Sequence, residues 1–280
     1  MILQTMKSDF LTPVQAVNPV APWIGGKRNL AKRITAIIDQ TPHQTYAEPF
    51  VGMGGIFLRR SMRPRCEVIN DFGRDISNLF RILQRHYPQF LDVLRYQLTV
   101  RVEFDRLVAT DPSTLTDLQR AARFLYLQRT AFGGKVSGQN FGVSRDRPGR
   151  FNLTSLEPML EDLHTRLSGV VIECLDYSDF IRRYDDKRAL FYLDPPYWGC
   201  ENDYGKEMFS RDDFTQMADQ LAMIKGRFLI SINDIPEIRQ IFHAFQMTEV
   251  STTYTIGKKT DSRGARKELL VSNFDFELNN

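Results

Sequence analysis

Cysteine is scarce in this chain: Cys66, Cys174 and Cys200 are the three in 280 residues, far apart and without a Cys-x-x-Cys pair. A disulfide framework and a thiolate zinc site are therefore not expected. The four histidines (His43, His86, His164, His243) are equally scattered, so no metal centre is expected either. No stretch approaches the roughly 18 apolar residues of a membrane span. The first twenty residues lack the basic start and apolar run of a secretory signal, and the expectation is a cytoplasmic protein, monomeric, with no membrane partner. Net charge is only +3, so any polyanion-binding surface must come from local clustering.

What is present is a regular alternation. Residues 1–20 show no periodicity and read as a loosely docked arm. Leu30, Ile34, Ile37 and Ile38 fit one face of a helix over 28–38. A short strand at 45–50 precedes glycines 52, 54 and 55, then a helix over 56–61, a strand at 66–69 and a helix over 75–84. Strand, glycine turn, helix, strand, acid, helix is the signature of a parallel α/β sheet. Between 86 and 169 the pattern turns helical (88–98, 102–108, 117–129, 156–167), with a Gly/Arg-rich stretch at 131–152. The α/β pattern resumes with strands at 170–174, 189–194 and 227–232, and closes with a hairpin of 247–254 and 268–274. The expected fold is a Rossmann-like α/β unit built from 20–85 and 170–280, with 86–169 inserted as a mainly helical subdomain.

Three residue groups carry chemistry. Asp194-Pro195-Pro196-Tyr197 directly follows a buried-looking strand, where α/β proteins place their ligands. The prolines stiffen the corner and lack N–H groups, leaving carbonyls free to accept. With the Asp194 carboxylate and the Tyr197 ring, the corner suits a planar amine; an ordinary proline-rich turn is the plainer alternative. The second group is Glu48-Pro49-Phe50-Val51-Gly52-Met53-Gly54-Gly55, with Asp71 at the tip of the next strand. Such glycines admit a ligand close to the backbone, and such an acid can hold ribose hydroxyls. Phe57 stands where a third fingerprint glycine would fall, and no phosphate-binding Gly-Lys-Ser/Thr is present; both favour a cofactor without a pyrophosphate. The third is Trp23-Ile24-Gly25-Gly26-Lys27, in which Trp23 can pack on a cofactor and Lys27 can neutralise a carboxylate.

Together, and in this order, these groups resemble the DNA adenine methylase family over residues 20–275. Asn70-Asp71, Asp176-Tyr177 and Lys267 to Asn273 extend the match, while Ile24 and Gly73 depart from the usual pattern. The resemblance implies S-adenosyl-L-methionine as methyl donor, contacted by Trp23, Lys27, Phe50, Gly52, Gly54, Asp71, Asp176 and Asp194. It implies transfer to N6 of an adenine flipped out of duplex DNA. Tyr197 would stack on that base, and Asp194 and the Pro195 carbonyl, with Pro196 shaping the corner, would receive the amine. A cytosine-N4 enzyme more often has Ser in the place of Asp194, and an RNA or protein methyltransferase often Asn. A non-catalytic scaffold has no use for both Asp194 and Tyr197.

Specificity is expected in the insertion. Between Leu118 and Arg150 seven basic residues (Arg120, Arg123, Arg129, Lys135, Arg145, Arg147, Arg150) face one acid, Asp146, a local excess of +6. Such a cluster suits phosphates and guanine edges; a solvated charged face is the alternative. Lys258, Lys259 and Arg263 in the terminal hairpin form a second candidate DNA contact.

Overall fold

The computed structural model describes residues 10–143, 148–201, 209–253 and 265–278. Its centre is a seven-stranded sheet. In chain order the strands are β1 (Thr45–Glu48), β2 (Cys66–Asn70), β3 (Val171–Glu173), β4 (Ala189–Leu193), β5 (Arg227–Asn233), β6 (Gln246–Thr253) and β7 (Ala265–Ser272). They lie side by side as β3-β2-β1-β4-β5-β7-β6. The first five are parallel, and β7 runs antiparallel between β5 and β6. The expected α/β fold and closing hairpin are both present.

The strands are apolar because both faces are covered. Along β4, Ala189, Phe191 and Leu193 enter one buried cluster while Leu190 and Tyr192 enter the other, the two-residue alternation of a pleated strand. One face packs on α7 (Tyr177–Tyr184), α8 (Arg211–Met223) and α9 (Pro236–Ile241). The other packs on α1 (Ala31–Gln40) and α2 (Arg74–Arg85), followed by four further helices. These are α3 (Tyr87–Leu94), α4 (Arg101–Ala109), α5 (Asp117–Thr130) and α6 (Leu153–Arg166). Phe90, Phe104, Leu125 and Leu160 share one continuous buried cluster with Tyr46, Ile69 and Leu190 of the sheet. Helix α5 starts at a capping box, with Thr116 and Gln119 satisfying each other's backbone N–H groups.

Three local expectations are corrected. The helix expected at 56–61 is a single 3₁₀ turn, Phe57–Arg59. Arg60 turns extended because its guanidinium reaches Glu67 and the Met62 carbonyl. Helix α3 ends at Leu94, since the Tyr126 hydroxyl bonds the carbonyls of Leu98 and Val100 and holds that stretch open. The arm is docked over its described part: Thr12–Pro13 pairs with Met62–Arg63, Val17 donates to the Leu58 carbonyl, and Val20 is fully buried.

Candidate functional site

In a doubly wound sheet the ligand crevice opens where strand order reverses, beyond the carboxyl ends. Here the reversal lies between β1 and β4, and their ends carry the glycine turn and Asp194. A cavity of about 1130 Å³ opens there. Its lining includes Trp23, Lys27, Glu48, Phe50, Gly52, Asp71, Asp194 and Pro196, and from the insertion Arg129, Phe141, Arg150 and Met159.

The glycine turn is shaped by contact. Gly52 has φ +49°, and a Cβ there would lie 2.6 Å from Trp23 Nε1. Only glycine lets this turn meet the indole edge-on. The Gly52 N–H donates to Asp71 Oδ2 at 2.9 Å and the Gly73 N–H to Oδ1 at 2.8 Å. A Cβ on Gly73 would stand 2.8 Å from Oδ1, so the departure at Gly73 is what allows Asp71 this seat. Burial pushes the Asp71 carboxyl up to about 6, against the lowering effect of the two N–H donors. Gly54 (φ +76°) serves the turn itself, since a Cβ would strike Leu58 at 2.7 Å.

Lys27 is 2% exposed, and its Nζ lies 2.5 Å from Asp194 Oδ1 and 4.3 Å from the Tyr197 ring centre. The carboxylate it neutralises is therefore the catalytic candidate's own. Ser231 on β5 donates to Asp194 Oδ1 at 3.3 Å and bonds the buried Tyr192 hydroxyl at 2.7 Å. Burial raises the Asp194 carboxyl to about 6 despite Lys27, which pulls the other way. Glu48 accepts the Tyr46 hydroxyl at 2.6 Å and, through burial first and the charge of Asp194 after it, is pushed up to about 8. At neutral pH Glu48 thus keeps its proton and Asp194 does not, the division of roles expected when environment separates two carboxyls.

Two sets of contacts are not visible in the sequence, although Asn70 itself is part of the match. Asn70 donates to the carbonyls of Pro49 and Leu175 and accepts the Leu175 N–H, tying three strand ends together. Asn233 clamps the Pro-Pro corner by accepting the Trp198 N–H and donating to its carbonyl. Neither role has a local signature, because both depend on strands remote in the chain.

Of the expected cofactor residues, Asp176 does not line the cavity; exposed at the start of α7, it accepts the Ser178 N–H. Phe50 does line it, tilted on Tyr177 at 5.6 Å. Tyr197 is half-buried beside the cavity rather than in its lining. Among the described residues, the arginines expected to contact DNA have partners within the chain. Arg120 pairs with Asp75 of α2, an acid outside the stretch whose charge was counted. Arg123 donates to the carbonyls of Leu107 and Val108, Arg129 to those of Val20 and Arg150, and Arg150 to that of Ala131. Their guanidiniums hold α5 to its neighbours, though Arg129 and Arg150 still line the cavity. Lys135 is exposed. Arg145, Arg147, Lys258, Lys259 and Arg263 lie outside the described residues. Among the described residues no cluster of potential metal ligands occurs, and no helix is long and apolar enough to cross a membrane.

Comparison with known proteins finds methyltransferases. The type II methyltransferase M1.LlaDCHI of Lactococcus lactis subsp. cremoris is 27% identical, the alignment covering 92% of this chain and 96% of that one. The type II methyltransferase M.CviBI of Paramecium bursaria Chlorella virus NC1A is 23% identical over 85% of this chain and 91% of its own. A DNA N-6-adenine-methyltransferase of Escherichia phage P1 is 26% identical over 89% of this chain, which spans 34% of that longer protein. Residues 23–256, from the tryptophan at the cavity into the final hairpin, match the D12 class N6 adenine-specific DNA methyltransferases, and the chain belongs to that family.

Proposed function

We propose that the cavity takes S-adenosyl-L-methionine together with an adenine flipped out of duplex DNA, and that Asp194 receives the adenine's N6 amine. The observation that carries this reading is the Lys27–Asp194 pair set at the reversal point of the sheet, in one cavity with the glycine turn. A single small-molecule site occupies roughly 300–1,000 Å³; at about 1130 Å³ this cavity suits two adjoining ligands. Trp23, Phe50, Gly52 and Asp71 would hold the cofactor, with Gly54 keeping the turn in shape. When bound, the cofactor supplies an activated methyl group on a sulfonium.

The chain's own task is positioning and electrostatics. Ionised Asp194 and the Pro195 carbonyl accept the two amine hydrogens, which draws the nitrogen toward tetrahedral geometry and frees its lone pair. Tyr197 stacks on the base. Lys27 touches both the acceptor and the stacking ring, so its position sets theirs relative to each other. Flipping costs a few kcal/mol, offset by such contacts. Lys135, with Arg145, Arg147, Lys258, Lys259 and Arg263, would supply phosphate contacts.

Purified protein incubated with methyl-labelled cofactor and unmethylated DNA should yield labelled N6-methyladenine on nucleoside analysis. N4-methylcytosine, or label confined to protein, would replace the reading. The rate should also fall on acidification through about pH 6, as Asp194 and Asp71 take up protons. Stability moves the other way for these two carboxyls. Their folded-state values lie above the ordinary carboxylate range, so the stability they contribute is fully present below that range and is lost as pH rises through about 6. An acid limb in the rate without a parallel drop in melting temperature is the expected pairing; a rate flat from pH 7 to pH 5 would refute it.

Gly52→Ala should weaken S-adenosylhomocysteine binding about tenfold, since roughly 1–3 kcal/mol attaches to a strained left-handed side chain. Calorimetric titration measures it, and unchanged affinity would remove the turn from the cofactor site.

A further inference from the structure

Gln128, near the end of α5, is fully buried, yet its amide serves segments distant in sequence. Its Nε2 donates one hydrogen to the Pro22 carbonyl at 2.8 Å and the other to the Gly134 carbonyl at 2.7 Å. Its Oε1 has no hydrogen-bond partner among the described residues. A buried carbonyl left alone is unfavourable, and an apolar side chain of similar size would avoid it. The use of this residue therefore lies in the two donations.

Both acceptors matter by position. Pro22 directly precedes Trp23 and the tight turn in which Gly26 donates to the Trp23 carbonyl, and that turn delivers Lys27 to Asp194. Gly134 directly precedes the exposed Lys135. It has φ +68°, and a Cβ on it would lie 3.0 Å from the Pro22 carbonyl carbon, so the two backbones are already in contact. The next residue repeats the link, with Arg129 donating to the carbonyl of Val20 on the arm and to that of Arg150. One helix end thus grips the segment that seats Lys27, Arg150 at the cavity, and Gly134 beside the exposed Lys135, which the proposed function sets toward DNA. In a packed interior, a shift at one side of such a grip is passed on rather than absorbed.

We infer that Gln128 is a positioning residue that couples DNA held by the inserted loop to the placement of Trp23 and Lys27, so that DNA and cofactor each tighten the binding of the other. This rests on the proposed function above. Coupling between sites is reciprocal and commonly amounts to about 5–150-fold. The test is a thermodynamic square on the full chain, using S-adenosylhomocysteine as the cofactor probe and sheared unmethylated genomic DNA. Wild type is expected to bind S-adenosylhomocysteine about tenfold more tightly with DNA present than without it. In Gln128→Glu, which keeps the size but loses the paired donors, that ratio should fall to within about twofold of one. Each separate affinity should stay within about threefold of wild type, a separation that a merely structural residue would not produce. Gly134→Ala disturbs the same junction from its other side, by pressing on the Pro22 backbone, and should lower the ratio as well, which keeps the test open if Gln128→Glu folds poorly. A wild-type ratio in both variants overturns the coupling role. Wild type that methylates DNA with a ratio of one also overturns it and leaves the proposed function standing; wild type that fails to bind S-adenosylhomocysteine removes both.

Discussion

Asparagine in place of Asp194 is expected to cut the single-turnover rate of methyl transfer by about 10²–10³-fold, the size found on removing one preorganised electrostatic contact. The amide keeps an acceptor oxygen but loses the charge, and it brings two N–H donors toward Lys27 and the incoming amine. Lys27 lies 2.5 Å from the carboxylate and is 2% exposed, so it loses its counter-charge at the same time. Some loss of thermal stability should follow. It should be smaller than the about 3–5 kcal/mol of a fully buried pair, because the Asp194 side chain is still 21% exposed. Rapid-quench measurement gives the rate, and circular dichroism gives the fold. Lys27→Met tests the partnership: in the double variant the two losses should not add, since each single change already breaks one shared contact. Asp194→Ala turning over at the wild-type rate would end the assignment of the carboxylate.

The sheet was legible in the sequence because its strands are short apolar runs that stop at an acid. Ala189 to Leu193 ends at Asp194, and Cys66 to Ile69 ends at Asn70-Asp71; burial on both faces gives the run, and the ligand crevice gives the acid. The order of the tryptophan, glycine and Pro-Pro groups located the cavity for the same reason. Partners were not legible. The carboxylate opposite Lys27 lies 167 positions away in the chain, and nothing in Gly25-Gly26-Lys27 announces it. A charge excess counted along the chain does not show partners across space: Asp75, on another helix, pairs with Arg120. Arg123, Arg129 and Arg150 similarly spend donors on carbonyls that no periodicity reveals. Glycine at 73 looked like a departure until the Asp71 carboxylate stood against it.

Replacing Glu67 with glutamine is expected to destabilise the chain by about 3–5 kcal/mol, the usual cost of leaving buried charge uncompensated. Glu67 on β2 is 1% exposed and stands between two buried guanidiniums. Arg166, in the last turn of α6, meets it through both oxygens at 2.7 and 2.8 Å, and Arg60 meets Oε1 at 3.0 Å. Each arginine also lies on a ring, Arg60 3.8 Å from the centre of Tyr46 and Arg166 4.1 Å from that of Phe57. Outside Glu67 each guanidinium has one backbone acceptor, Met62 for Arg60 and Phe57 for Arg166, and the Nε of each has no hydrogen-bond partner among the described residues. A third, partly exposed guanidinium, that of Arg63, meets Oε2 at 3.3 Å, so with glutamine three cations share the site with an amide whose own hydrogens face them. Solvent cannot screen the repulsion between Arg60 and Arg166, because these two side chains and that of residue 67 are closed to it. The cost should belong to the orphaned charges rather than to the lost attraction. A triple variant combining Arg60→Met, Glu67→Leu and Arg166→Met should therefore recover most of the stability, as apolar substitutes for buried ion clusters often do. Urea denaturation separates the cases, and a Glu67→Gln variant within about 1 kcal/mol of wild type would show that the cluster is not held by its charge. The cluster also fixes the Phe57–Arg59 turn that follows the glycine loop, so the Glu67→Gln variant should lose S-adenosylhomocysteine affinity before it loses the sheet.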